Sequence, residues 1–247
     1  MRRMALVIVL FVLMTIPAAA ATKKLILNTS YASPITSPDK TGFLDLLYAE
    51  LFKRLEIDFE IQALPAERAL KNADAGIDDG DVCRIADLVN LYTNMVRTNE
   101  PVMQYQHVVF TRTKQFRVDG PVSLKPYDVG IVTGWKIVER NTIHNRSRIM
   151  LDSGEQLFLM LDQGRIDVAV IERMVGLEMI RKLKIQNIKV LSPPLLTGDW
   201  YLYLHKRHAG LVPRIDAELR KMKQDGSYER IRRSVLGRYE KTGQGKD

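Results

Sequence analysis

The sequence predicts an α/β protein built as two lobes, and three observations carry that expectation. A strand–helix–strand–helix order occurs twice along the chain, the mark of parallel strands joined by helical crossovers. The length of 247 residues accommodates two units of roughly 100 residues each. An apolar content of 46% is that of a globular protein and argues against a disordered, collagen-like or coiled-coil chain.

The first segment stands apart from that repeat. Arg2 and Arg3 precede an apolar run from Ala5 to Ile16, which Pro17 breaks and the small residues Ala18 to Ala21 follow. This is the layout of a secretory signal peptide, assigned to residues 1–21. The run falls short of the ~20 residues a membrane-spanning helix needs, and no cysteine follows it to take a lipid. The mature chain is expected to start near Ala21 or Thr22 and to be periplasmic.

In the first unit, Lys23 to Asn28 reads as a strand ending in a loop that holds Tyr31, Pro34 and Pro38. After Gly42, the residues Phe43, Leu44, Leu46, Leu47, Leu51, Phe52 and Leu55 fall on one helical face. Phe59 to Ala63 is a second strand, and Pro65 opens a helix that Gly76 closes. Asp78-Asp79-Gly80-Asp81 reads as a polar loop that carries Arg84, and His107 to Thr111 is a strand.

The second unit repeats the order. Tyr127 to Val132 is a strand, Thr133-Gly134-Trp135 a turn, and a helix begins at Lys136. Ile149 to Leu151 is a strand candidate, Ser153 caps a helix reaching Asp162, Gly164 stops it, and Ile166 to Ile171 is a buried-type strand. Lys189 to Leu191 and Trp200 to Leu204 read as strands. Helices follow from Val212 to Lys223, entered through Pro213, and from Ser227 to about Val235.

Composition excludes several functions. Lys and Arg number 37 against 29 Asp and Glu, but the basic residues are scattered, denser only at Arg230, Arg232, Arg233 and Arg238. No basic stripe interleaves with aromatics, so no nucleic-acid partner is expected. The single cysteine, Cys83, excludes an intrachain disulfide and a cysteine-based zinc cluster. The Asp74, Asp78, Asp79 and Asp81 cluster lacks the glutamate of a calcium loop, since Val89 and Ile85 occupy the twelfth positions. His205 and His208 lack an evident third metal ligand. No Ser-His-Asp, Cys-His or paired-carboxylate motif and no Gly-rich phosphate loop occurs, so neither enzyme activity nor a cofactor is expected.

The order of motifs resembles the bacterial solute-binding proteins of family 3, typified by the amino-acid receptors of ABC importers. The likeness runs through Gly42-Phe43-Leu44-Asp45-Leu46-Leu47, Leu64-Pro65-Ala66-Glu67-Arg68-Ala69-Leu70 and Ala75-Gly76-Ile77-Asp78-Asp79-Gly80. It continues in Val129 to Gly134, Gln163 to Val170 and Lys221 to Tyr228. The resemblance implies a two-lobed periplasmic binding protein type 2 fold with two hinge crossovers and an interlobe ligand cleft. Lobe 1 would hold 22–111 and 200–247, and lobe 2 would hold 112–199.

Ligands in open α/β sheets lie beyond the carboxyl ends of the strands, which selects Tyr31 after the first strand and Thr133 and Trp135 after the lobe 2 strand. Trp135 is also placed to pack between helix and sheet, and the helix start beside it offers N–H groups to an anion. The resemblance implies an arginine for a ligand carboxylate, with Arg84, Arg68 and Arg97 as rivals because the usual Thr-Pro-Glu-Arg is missing. It implies that Glu172, where an aspartate is common, meets either a ligand amine or Arg173. The expected protein is a monomeric, non-enzymatic receptor that binds a small polar solute, an amino acid or related acid, and presents it to an ABC permease or a membrane sensor. The alternatives are a dehydratase-like enzyme using Glu172 or Glu67 and a degenerate lobe pair acting only in protein contact.

Overall fold

The computed structural model describes residues 24–241; the expected signal peptide lies outside the described residues. Lobe 1 begins with β1 (Leu25–Thr29), α1 (Phe43–Leu55), β2 (Phe59–Ala63), α2 (Ala66–Asp74), β3 (Gly80–Ile85) and β4 (Met95–Arg97). The apolar face read in the sequence is the packed face of α1, where Phe43, Leu44, Leu47, Tyr48, Leu51 and Phe52 are buried. Asp45 accepts the Gly42 amide at 3.1 Å and closes the helix start.

Strand β5 (Met103–Thr111) then crosses to lobe 2, which holds β6 (Asp128–Val132), α3 (Lys136–Asn141), β7 (Ser147–Leu151), α4 (Gly154–Asp162), β8 (Val168–Glu172), α5 (Arg173–Leu183) and β9 (Lys189–Val190). Ser153 caps α4 through the Gln156 amide. Strand β10 (Leu196–His205) returns to lobe 1, followed by α6 (Val212–Gln224) and α7 (Ser227–Lys241).

The two lobes share one strand order. In lobe 1 it is β2-β1-β3-β10, with β4 on the far side of β10; in lobe 2 it is β7-β6-β8-β5, with β9 beyond β5. In each, the first three strands are parallel and the crossing strand is antiparallel to its neighbour. Between the lobes β5 and β10 pair antiparallel, from Met103 opposite Trp200 to His107 opposite Leu196. The first crossing falls within β5, ahead of residue 111, because His107 to Thr111 already pair with β8.

Residues 80–85, read in part as a polar loop, form β3, and all six are buried. Gly80 allows this strand to lie against β10, since a Cβ there would stand 2.2 Å from the Tyr203 carbonyl oxygen. The polar residues around β3 are buried in pairs, a tertiary arrangement that local alternation does not encode. Strand β4 and helix α5 were likewise absent from the sequence reading. Trp200, Tyr203 and Phe110 lie among the largest fully buried side chains, so the core runs along the crossing strands.

Candidate functional site: the cleft between the lobes

The ends of β1, β6 and β8 converge where the lobes meet. Tyr31, just beyond β1, lies with its ring centroid 4.9 Å from that of Trp135 and 4.5 Å from that of Trp200. Trp200 stacks on Tyr105 at 5.4 Å, and the imidazole of His107 meets Trp135 edge-on at 5.7 Å. These rings leave a cavity of about 20 Å³ between Tyr31, Arg84, His107, Trp135 and Trp200, space for about one water. Beside it lies a cavity of about 440 Å³ between the Ser30–Ala32 loop of lobe 1 and Trp135, Asp152 to Gln156 and α5 of lobe 2. That volume falls within the roughly 300–1,000 Å³ typical of small-molecule pockets.

The lobes are closed on one another. Lys136 Nζ reaches Glu67 Oε2 at 2.5 Å, and Arg140 grips Asp87 through two hydrogen bonds of 2.7 and 3.1 Å. Gly134, at φ +85°, lies so close to α2 that a Cβ would stand 2.7 Å from the Ala66 Cβ and 2.7 Å from the Glu67 nitrogen.

Each charged group at the cleft has a distinct environment. Arg84 is buried and donates to Asp81 at 2.7 Å. Burial opposes its charge, but the Asp81 carboxylate outweighs that and holds Arg84 firmly protonated. Glu172 ends β8 and caps α5, its Oε2 accepting the Val175 amide at 2.9 Å. Burial pushes its carboxyl up to about 7 against the pull of the α5 amides and the Arg173 charge. His107 stands directly opposite Glu172 across the β5–β8 ladder, and burial lowers its imidazole to about 3. Tyr31 is raised well above the usual phenol range, chiefly by burial.

Buried polar atoms without a hydrogen-bond partner are uncommon in folded proteins. Among the described residues, side chains of six carry them: Ser30 Oγ, Arg84 Nε, both His107 nitrogens, Trp135 Nε1, Glu172 Oε1 and Asp45 Oδ1. All but Asp45 belong to the interlobe region, on the segments that line its cavities.

The structure brings Tyr31, Arg84 and Trp135 to one small cavity, whereas Glu172 lines a different one at the start of α5. Arg84 reaches its place from a strand rather than the expected loop. Thr133 is half-buried beside them, its amide donating to the Leu151 carbonyl at 2.9 Å. Arg68 is exposed on α2 and lines neither cleft cavity. Arg97 lies over the Tyr201 ring at 4.2 Å. The Gly134 amide, a donor expected for an anion at the start of α3, is taken by Glu139 Oε1 at 2.5 Å. Sequence reasoning missed Ser30, His107 and Trp200. For His107 a signal existed, since it sits inside an apolar strand on the same face as Tyr105.

The aspartates before β3 each hold a local partner. Asp78 accepts from Asn28 and Asn72, Asp74 from the Asn94 amide, and Asp79 from the Ile26 amide, Arg207 and His208. A third cavity, about 760 Å³, lies between the crossing strands, the start of α5 and helices α6 and α7. It is the largest, yet it holds only one of the unpartnered groups, Glu172.

No family model matches the chain. An uncharacterized protein of Shewanella oneidensis is 30% identical over 213 residues, covering 79% of this chain and 76% of that protein. Among solved structures, a histidine kinase sensor domain with similarity to periplasmic binding proteins superposes with TM-score 0.74 at 16% identity, covering 87% of this chain and 95% of its own. The substrate-binding protein of an amino acid ABC transporter superposes with TM-score 0.73 at 16% identity, covering 87% and 99%. The fold is the two-lobed type 2 fold of the periplasmic binding proteins.

Proposed function

We propose that this chain, which belongs to the same family as the Shewanella oneidensis protein, is a binding protein that captures a small polar solute between its lobes and performs no chemistry on it. The observation that carries this reading is that Ser30, Arg84, His107 and Trp135, each with a buried polar atom lacking a partner, line two adjoining cavities between the lobes. A buried donor or acceptor without a partner costs roughly 1–3 kcal/mol. Four such residues around one cleft supply hydrogen bonds that a ligand completes. The lobes open about the paired crossing strands, admit the solute between Tyr31 and Trp135, and close on it through Lys136–Glu67 and Arg140–Asp87.

The same reading places the mature protein, released from residues 1–21, in the periplasm as a monomer without a cofactor. Its partner is an ABC permease or a membrane sensor, a choice supported by structural relatives that include an ABC transporter's substrate-binding protein and a histidine kinase sensor domain. Among the described residues, no helix is long and apolar enough to cross a membrane.

A second reading has one observation in its favour: the stack of Tyr31, Trp135 and Trp200 leaves only about 20 Å³ at its centre, as a lobe pair used only for protein contact would. Thermal melting against amines, amino acids, organic acids and sugars separates the two. A ligand present at 100 times its Kd adds about 2.7 kcal/mol of stability, a shift of about 2–4 °C per kcal/mol at this size. A selective rise with the ligand recovered intact supports capture. A uniform melting point across the panel, with solution scattering unchanged, supports the contact role.

A further inference from the structure

The crossing strands have two faces, and only one of them turns to the cleft. Side chains alternate sides along a strand, so Tyr105 and His107 of β5 join the ring cluster around Trp135 and Trp200. Gln104 and Gln106, on the opposite face, line the cavity of about 760 Å³. Asp199 of β10 stands directly opposite Gln104 and lines the same cavity. Both lobes supply its walls, with Arg173 and Met174 at the start of α5 on one side and Tyr228 and Leu236 of α7 on the other. Its volume lies within the roughly 300–1,000 Å³ of small-molecule sites.

Several polar groups of this cavity are already engaged. Lys223 holds Glu100 at 2.6 Å and Arg232 holds Glu229 at 2.7 Å. The Tyr228 hydroxyl donates to the Val102 carbonyl and the Tyr239 hydroxyl to Glu178. The side chains of Gln104, Gln106, Arg173, Ser192 and Asp199, by contrast, make no hydrogen bond or ion pair among the described residues. Their charges, one guanidinium and one carboxylate, offset each other, so a net anion or cation meets no surplus of the opposite sign. Glu172 also lines the cavity, its Oε2 taken by the Val175 amide and its Oε1 buried without a donor. Amides and hydroxyls both donate and accept, and a mixture of such groups is satisfied by a ligand whose own groups do the same. Met103, Met174 and Leu236 add apolar surface for the C–H faces of a ring.

We propose that this cavity behind the crossing strands is a second binding site, for an uncharged polyhydroxylated compound such as a mono- or disaccharide. Gln104, Gln106 and Asp199 on the strands and Arg173 at α5 hold its hydroxyls. The site is separate from the cleft between Tyr31 and Trp135 and stands whether or not that cleft captures a solute.

Calorimetry on the purified protein with glucose, N-acetylglucosamine, trehalose and maltose tests it, with glutamate and putrescine as charged comparisons. At least one sugar is expected to bind at a single site. Gln106→Ala and Asp199→Ala should each weaken that binding at least about tenfold, a difference of 1.4 kcal/mol. Gln106 is exposed and Asp199 half-buried, so both variants should melt close to wild type. Ser30→Ala, in the 440 Å³ cavity of the cleft, should leave sugar binding unchanged. A sugar lost in Ser30→Ala and kept in the two strand variants lies in the cleft, which overturns the inference and supports solute capture there. Silence from all four sugars overturns it and leaves the cleft reading untouched. Tighter binding of glutamate or putrescine than of any sugar, lost in the strand variants, overturns the assigned ligand class.

Discussion

The two lobes are drawn to one plan and finished differently. Each has three parallel strands, a crossing strand antiparallel to them, and a short strand beyond. At corresponding places, the third strand of each lobe brings a charged group to the region between the lobes. Lobe 1 brings Arg84 on β3, already paired with Asp81 in the interior. Lobe 2 brings Glu172 at the end of β8, with one oxygen on the α5 amides and the other without a partner. The shared topology sets where the groups stand. Which of them is available to a ligand depends on partners that topology does not supply.

The largest effect should come from breaking the settled side. Arg84→Ala leaves Asp81 buried without its counter-ion and should cost about 3–5 kcal/mol in denaturant unfolding. The double variant Asp81→Leu with Arg84→Met removes both charges and should recover most of that loss. If the single variant unfolds like wild type, the pair does not hold lobe 1 together in the manner described.

On the unsettled side the sign depends on pH. A folded-state carboxyl raised to about 7 favours folding fully below the ordinary glutamate range, and that contribution is lost as pH rises to 7. The gain from Glu172→Gln should therefore be near zero at pH 4 and reach about 3 kcal/mol by pH 8. His107, depressed to about 3, acts oppositely: its contribution is present above the ordinary histidine value and lost as pH falls. The slopes of these two neighbours oppose one another in wild type, with Tyr31, Cys83 and Arg173 the other titratable groups around Glu172. In the Gln variant the His107 slope should no longer be opposed by Glu172, so stability should rise more steeply than in wild type between about pH 4.5 and 6.5. A variant whose pH profile parallels wild type would remove the basis for this assignment.

Smaller effects concern how the lobes meet. Gly134→Ala puts a side chain against Ala66 at a positive φ, a strain of order 1–3 kcal/mol in the closed form. Small-angle scattering should show a larger radius of gyration, with the melting of each lobe little changed. Smallest is Arg140→Ala. The pair it breaks is exposed, at 44% and 47%, so closure should weaken by no more than about 1 kcal/mol and the difference should vanish in high salt.

Much of this fold was legible because its signals are local. The face of α1, the Ser153 cap and the apolar strands at β5, β6 and β8 follow from spacing and capping chemistry alone. Strand β3 was not, because Asp81 and Arg84 look like loop residues until each is seen to be the other's partner. The site was legible in the same proportion. Position after a strand identified Tyr31, Trp135 and Glu172, whereas Trp200 and His107 reach the cleft only because β5 and β10 lie side by side. Arg68, suggested by a motif, is left on an exposed helix face because the motif records packing of α2 and not the direction of one side chain.

Helix α7 has a mechanical consequence. It belongs to lobe 1 by its packing on α1 and α6, yet near its end Tyr239 donates to Glu178 of lobe 2 at 2.9 Å. Gln104 and Gln106 face the groove on that side, away from the Tyr105 and His107 face. The molecule thus has a pivot in the crossing ribbon, a mouth on one side of it and a tether on the other. It is a lever, and any rotation that parts Tyr31 from Trp135 is transmitted to the seam between α7 and α5 at the opposite end of the beam, where that phenol meets its carboxylate.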